Sequence, residues 1–576
     1  MPEKPPPVGA RKRTQEHWEK FEYRKKSKVN NEQSDSVDQV KRSPNIIDLT
    51  SDNDSPEETS TTDVSYIEPI HSSADEADQK LPSSSNENQE TTAPFRLIKS
   101  DIYDSNRASQ HFITLEEIFG DRSIAKSWLF SFQYELDYIL PMFPLHAEIT
   151  IVAQNGTILP VSQPNSKVLT LLARLKTLLV NLPPYSCHHS KMVINLYNNG
   201  DCQLFIPSNN FTSAETNLPT QIVWSSPRLK SSSCESSSSA FKDSLLTYLK
   251  GYEINLKPLV AVLETVDFLP LDDSGSQFVY SHPKVAGCGL SQLSTLLRDK
   301  KHTHLIDQST HHYLCQTSTI GSPIKAGLRS PGNLFTHYMI PLFSGLLDPK
   351  TNAKANPGRK ANEIPNLKER FDTNHIKPYI VYPTAQELQK SAMGYLAGGW
   401  FHYHWLRNQV SQDVHQLLRS WGVFHKRQTH TTDARKATPS HTKFYMKSTG
   451  TCLTDSKRSP LRTPEWVLYT TANLSLNAWG TLTSKPRNYE VGVLFKSSED
   501  NAIELQSVTD LVYSPFIGTG ETIGDGKPEF LKRKKTLVMV PFDIPPKPYG
   551  ELDDSFCISR NYVEPDSLGR YHQPQG

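Results

Sequence analysis

His189-Ser190-Lys191 with Ser208-Asn209 downstream, and His441-Thr442-Lys443 with Ala472-Asn473 downstream, state one pattern twice. Side chains two apart on an extended strand share a face, so His189 stands beside Lys191 and His441 beside Lys443. Apolar runs follow each motif at once, Met192-Val193-Ile194-Asn195-Leu196-Tyr197 and Phe444-Tyr445-Met446, as buried strands require. A second strand in each copy, Gln203-Leu204-Phe205-Ile206 and Trp466-Val467-Leu468-Tyr469, then delivers the asparagine. Each copy brings a histidine, a fixed positive charge and a neutral amide to one sheet end. Two such halves face to face suit a phosphodiester. Each imidazole can serve as nucleophile or proton carrier, while lysines and amides could hold the oxygens on which charge develops. One His-x-Lys alone reads as a solvated strand end; its recurrence with a matching asparagine reverses that judgement. This chemistry needs no metal or other cofactor.

The segments His188-His189-Ser190-Lys191-Met192 and Thr471-Ala472-Asn473-Leu474-Ser475-Leu476-Asn477-Ala478-Trp479-Gly480 closely resemble the two signature regions of the tyrosyl-DNA phosphodiesterase family, a eukaryotic branch of the phospholipase D superfamily. Gln316-Thr317-Ser318-Thr319-Ile320-Gly321-Ser322, Tyr382-Pro383-Thr384 and Tyr489-Glu490-Val491-Gly492-Val493 extend the match in order from about Ser100 onward. The resemblance implies an α/β fold of two pseudo-twofold-related αβαβα sandwich halves with the site between them. It implies that His189 attacks phosphorus and that His441 is general acid and then base. Lys191, Lys443, Asn209 and Asn473 would bind the non-bridging oxygens, and Glu490 and Gln221 would orient the histidines. Ser318, Thr319 and Ser322 match a region that contacts the DNA backbone in the family, ordinary partners for phosphate. Trp400 and His402 replace smaller residues usual in animal members, which unsettles transfer of peptide-side contacts. The implied substrate is a DNA 3′ end carrying a tyrosyl peptide, the remnant of trapped topoisomerase I, left as a 3′-phosphate.

Five residues beyond the lysine, where the wider superfamily carries an aspartate, stand Leu196 and Ser448. A generic phospholipase or nuclease of the superfamily is disfavoured. A catalytically silent DNA-end-binding scaffold is the alternative from another class, and the intact constellation argues against it.

Across 576 residues, 62 basic and 61 acidic side chains leave a net charge of +1, so any nucleic-acid groove must be local. Residues 350–360 carry four cations and no acid, which suits such a patch or a solvated loop equally. Seven scattered cysteines fit a reducing compartment and offer no zinc spacing. His302, His304, His311 and His312 lack the neighbours of a metal site. No stretch is apolar enough to span a bilayer, and a monomer is expected.

Residues 1–95 are polar and charged, and read as a disordered tail. Within them Arg11-Lys12-Arg13 and Arg24-Lys25-Lys26 look like a bipartite nuclear import signal, pointing to the nucleus. Ile46-Ile47-Asp48-Leu49-Thr50 before Ser51-Asp52-Asn53-Asp54 resembles a SUMO-interacting motif, a short apolar strand that adds to a sheet edge. The first domain is expected over 96–274 and the second over 275–576, divided at the polar break Asp272-Asp273-Ser274-Gly275. Helices are expected over Ser127–Ile139, Phe241–Lys250, Ala385–Ala392 and Tyr403–Leu418.

Overall fold

The computed structural model describes residues 91–574 apart from 163, 232–237, 299–308, 326, 327, 329, 348–363, 428–434, 436, 437, 452–458 and 514–533. The two basic blocks, the apolar island at 46–50, the basic loop at 350–360 and His302 and His304 all lie outside the described residues.

Each sequence copy becomes the middle of a sheet. Met192–Tyr197 (β1) pairs antiparallel with Cys202–Pro207 (β2) on one side and with Ile124–Phe130 on the other. Phe130 then leads through a crossover to Glu148–Gln154, which lies parallel to Ile124–Phe130. The second copy repeats this arrangement. His311–Gln316 (β3) pairs antiparallel with Phe444–Thr449 (β4), which pairs antiparallel with Trp466–Thr470 (β5), and Ile376–Val381 lies parallel to β3. The matching pairing order makes the duplicated motif a structural repeat as well as a sequence one. Asn488–Lys496 (β6) joins β5 and carries Glu490. Among the described residues the two main sheets have eight and nine strands, and the two-residue strand Cys187–His188 leaves the first half to pair parallel with Asn488–Tyr489 of the second.

The apolar core runs without a break across residues 274 and 275. Phe95 of the first sheet packs against Phe444, Tyr469 and Phe495 of the second at ring-centroid distances of 6.4, 5.5 and 5.7 Å. Tyr469 Oη donates to the Ile222 carbonyl at 2.6 Å. Thr91–Thr92 pairs with Lys534–Val540, so sheet pairing begins inside the expected tail.

The helix at Phe241–Lys250 is present as Ala240–Lys250 (α1), started by Ser239, whose hydroxyl accepts from the Lys242 amide. Ala385–Lys390 starts at a capping box of Thr384 and Glu387. The expected helix over Ser127–Ile139 is instead strand Ile124–Phe130, followed by a single helical turn, Leu136–Ile139. Ser127, Trp128, Leu129 and Phe130 are all buried at the sheet centre, and a strand covered on both faces reads as a continuous apolar run rather than an alternation. The expected helix from Tyr403 starts later, at Gln409–Ser420 (α2), because Asn408 accepts from the Ser411 amide. His402–Tyr403 is used in a short parallel pair with Thr319–Ile320.

Candidate active site

His189 lies in the extended link between Cys187–His188 and β1. Its amide donates to the Tyr489 carbonyl at 3.0 Å, continuing the inter-half pairing, and this register brings Glu490 opposite the ring. His189 Nδ1 donates to Glu490 Oε2 at 2.8 Å. The same carboxylate accepts from Thr471 Oγ1 at 2.7 Å and from Asn488 Nδ2 at 2.9 Å, and it is 1% exposed. Burial pushes the Glu490 carboxyl up to about 7, against the pull of Lys191 and its hydrogen bonds. A carboxylate that only accepts fixes the proton on Nδ1 and so puts the ring's lone pair on Nε2, the atom suited to nucleophilic attack.

His441 is set differently. Its amide donates to the Thr220 carbonyl at 3.2 Å, and the Thr220 amide donates to the Pro439 carbonyl at 2.9 Å, so this loop too is bridged to the other half. Its Nδ1 stands 3.7 Å from Glu215 Oε2, beyond hydrogen-bond length. Glu215 is already engaged by the amide and side chain of Asn210, at 2.8 and 2.6 Å. Burial, and then the positive charges of Lys443 and Lys191, hold the His441 pKa well below the ordinary histidine range. Lys443 is likewise held well below the ordinary lysine range, by burial first and then by Lys191. Both ammonium groups donate back to the carbonyl of their own motif's histidine.

The asparagines complete the set. Asn473 Oδ1 accepts from Ser318 Oγ and the Thr319 amide, both at 3.0 Å, and from Thr317 Oγ1 at 3.2 Å, which turns its NH2 to the open side. Asn209 Nδ2 donates to Thr216 Oγ1 at 3.1 Å. His189, His441, Asn473 and Glu490 line one cavity of about 530 Å³ together with Glu215, Thr319, Ser322, Trp400 and His402. The arrangement offers a nucleophile, a proton carrier and a concentration of positive charge and amide donors suited to a phosphate. Among the described residues no group of three or more His, Cys, Asp or Glu is placed to hold a metal ion.

The sequence pattern of tyrosyl-DNA phosphodiesterase matches residues 96–550. The chain belongs to the tyrosyl-DNA phosphodiesterase family. It is 40% identical over 489 residues to tyrosyl-DNA phosphodiesterase 1 of Saccharomyces cerevisiae, covering 81% of this chain and 85% of that protein. A probable tyrosyl-DNA phosphodiesterase of Caenorhabditis elegans is 26% identical over 474 residues. The crystal structure of the yeast tyrosyl-DNA phosphodiesterase superposes with a TM-score of 0.65 at 36% identity, covering 81% of this chain and all 100% of that one. The fold is therefore phospholipase D-like, and the protein is a DNA-repair hydrolase acting on phosphodiester bonds.

In this tyrosyl-DNA phosphodiesterase family member, two expected residues stand elsewhere than the sequence suggested. Gln221 touches neither histidine; it accepts from Ser208 Oγ at 2.5 Å and donates to the Glu215 carbonyl at 3.1 Å. The group beside His441 is Glu215, which the sequence reading missed. Its signal was there as Thr212-Ser213-Ala214-Glu215, but that spacing reads first as a helix cap, and Thr212 does accept from the Glu215 amide. Ser318 is fully buried and spends its hydroxyl on Asn473, so it braces that amide rather than facing a DNA backbone. Thr319 and Ser322 remain on the cavity wall, and Trp400, 5% exposed, belongs to both wall and core.

Proposed function

We propose that this chain hydrolyses the 3′-phosphotyrosyl bond between DNA and a trapped topoisomerase I peptide through a phosphohistidine on His189, leaving a DNA 3′-phosphate. The observation that carries the reading is the inequality of the two histidine–carboxylate pairs, 2.8 Å at His189 and 3.7 Å at His441, around one cavity. The tight pair keeps Nδ1 protonated and offsets the positive charge that His189 gains as Nε2 bonds to phosphorus. The loose pair leaves His441 free to change protonation during turnover.

The phosphorus–tyrosyl oxygen bond breaks as the His189–phosphorus bond forms, and the departing phenolate takes the His441 proton. Water then attacks phosphorus, His441 takes its proton, and the phosphorus–nitrogen bond breaks. Lys191, Lys443, Asn209 and Asn473 hold the non-bridging oxygens throughout. Burial, and then the two lysines, disfavour a protonated His441; an anionic phosphodiester between them opposes the lysines' field, so substrate itself charges the acid. Thr319 and Ser322 serve the DNA side, and Glu490 and Glu215 orient the histidines.

We assign residues 96–274 and 275–576 to the two repeats, and residues 1–95 to a tail that directs the protein to the nucleus through 11–26 and binds SUMO through Ile46–Thr50. The chain acts as a monomer. The test is a 3′-phosphotyrosyl oligonucleotide incubated in EDTA beside a phosphatidylcholine assay. Tyrosine release with a 3′-phosphate product and no lipid hydrolysis is expected. Turnover that appears only after metal is restored, or lipid cleavage instead, overturns the reading.

A further inference from the structure

Behind His189, on the side away from the cavity, runs a buried chain of hydroxyls and one imidazole. In the extended link, His188 and Ser190 project opposite to His189 and Lys191. Ser190 Oγ lies 2.7 Å from Tyr248 Oη, Tyr248 Oη contacts Tyr252 Oη, and His188 Nε2 lies 2.9 Å from Tyr252 Oη. The far nitrogen of His188, Nδ1, is 3.3 Å from the Ser131 carbonyl. His188, Ser190 and Tyr248 are fully buried and Tyr252 nearly so.

The direction of this chain follows from one fixed end. A carbonyl can only accept, so His188 Nδ1 carries the proton, and burial holds the ring neutral with its pKa lowered to about 4. Its Nε2 must therefore accept from Tyr252. Tyr252, having given its proton, accepts from Tyr248, and Tyr248 accepts from Ser190. Tyr248, Tyr252 and His188 each have one donor and one acceptor role and Ser190 donates at the end of the chain, so removing any hydroxyl strands a neighbour away from water. Tyr248 is in the last turn of α1 and Tyr252 one turn on, so the rings meet edge to face at 5.2 Å. The second half fixes its own motif by a shorter route: Thr442 Oγ1 donates to Gln316 Oε1 at 2.7 Å, with Ser440 Oγ 2.8 Å away. In both halves the residue between histidine and lysine is gripped from behind.

We infer that Tyr248 and Tyr252 are positioning residues for the nucleophile: through Ser190 and His188 they clamp the chain on both sides of His189 and fix where Nε2 meets phosphorus. The inference rests on the assignment of His189 as nucleophile. It concerns the first chemical step, in which an unbonded Nε2 must be brought to phosphorus; in the second that nitrogen is already bonded there and departs as His441 activates water.

The experiment measures the two steps separately by rapid quench on a 3′-phosphotyrosyl oligonucleotide. Tyr252→Phe and Ser190→Ala should each slow formation of the His189 adduct roughly tenfold or more, the scale of a small misplacement of a reacting group, with KM little changed. Adduct hydrolysis should keep its wild-type rate. The double variant Tyr248→Phe/Tyr252→Phe should be no slower than either single one, because one broken link opens the whole chain. Ser190→Thr, which keeps the hydroxyl, should recover most of what Ser190→Ala loses. Tyr280→Phe is the control, removing a hydroxyl from the same aromatic cluster, 5.5 Å from Tyr248 by ring centroid, but outside the relay. Unchanged adduct formation in folded Tyr252→Phe or Ser190→Ala overturns the inference, as does equal slowing of both steps. Absence of any His189 adduct in the wild-type chain overturns the nucleophile assignment and this inference with it.

Discussion

His189 and His441 share a residue type and differ in the company their Nδ1 atoms keep. Replacing His189 with Ala should abolish both turnover and the covalent DNA species. His441→Asn should instead trap the adduct, because a phenol leaves with little help whereas the phosphohistidine waits for a base; a band shifted on a denaturing gel and mapped to His189 is the expected result. An adduct on His441, or equal loss without trapping in either variant, would reverse the roles. Glu490 tests the tight pair from the side of stability. Its carboxyl is raised from 4.5 to about 7 by burial, so the folded state binds its proton more tightly than the unfolded chain does. Stability contributed by this group is thus lost as pH rises from about 4.5 to 7, and the cost is complete above that. Glu490→Gln escapes the cost. It should gain roughly 1–3 kcal/mol over wild type above pH 7 and little below pH 4.5, while adduct formation falls by about 10²-fold. A variant no more stable at pH 8 than at pH 4.5, each relative to wild type, would show that Glu490 is not strained by its burial.

Strands carry the site, and their close approach limits what they tolerate. Gly492 on β6 lies two residues beyond Glu490, and a Cβ there would meet the Tyr469 carbonyl at 2.5 Å and Thr470 Cβ at 2.7 Å. Gly492→Ala should push β6 from β5, cost about 1–3 kcal/mol in denaturant unfolding, and slow adduct formation by moving Glu490 off His189. Loss of stability with an unchanged adduct rate would separate the strand from the site. The strands β1, β2, β4 and β5 were legible in the sequence because each follows or precedes a polar motif and is short, apolar and bounded. Ile124–Phe130 was not, since burial on both faces removes the alternation that marks a strand. The start of α2 was misplaced because Tyr403 and Trp405 are apolar enough to continue a helical pattern, while the cap at Asn408 decides the boundary. The six residues proposed to carry the chemistry, His189, Lys191, Asn209, His441, Lys443 and Asn473, could be read because their pattern is stated twice; Glu215 and the partners that Ser318 and Gln221 find in the fold could not, because they depend on which side chains the fold brings beside them.

On the scale of the whole molecule, neither half closes its own site or core. His189 finds its carboxylate on β6 of the other half, Thr220 and Pro439 bridge the loop before His441, and Phe95 packs into the second sheet. The deepest tie is electrostatic. Asp104, fully buried, accepts from Arg435 and from the Ser100 amide at 3.0 Å, and its other oxygen accepts from Tyr513 Oη at 2.8 Å. Arg435 is equally buried and also donates to the Ile98 carbonyl at 2.7 Å. Arg435 and Tyr513 come from the second half, Asp104 and Ile98 from the first. Asp104→Ala leaves a guanidinium in the interior with its counter-charge gone, a change that costs about 3–5 kcal/mol in buried pairs. Because the core is continuous, that loss should fall on both halves together. Calorimetry should show one transition shifted down as a unit, and amide exchange should speed up alike in β1 and β4 under conditions of global opening. Two resolved transitions, or lost protection confined to one sheet, would mean that the halves fold independently and that their shared site is only an interface between them.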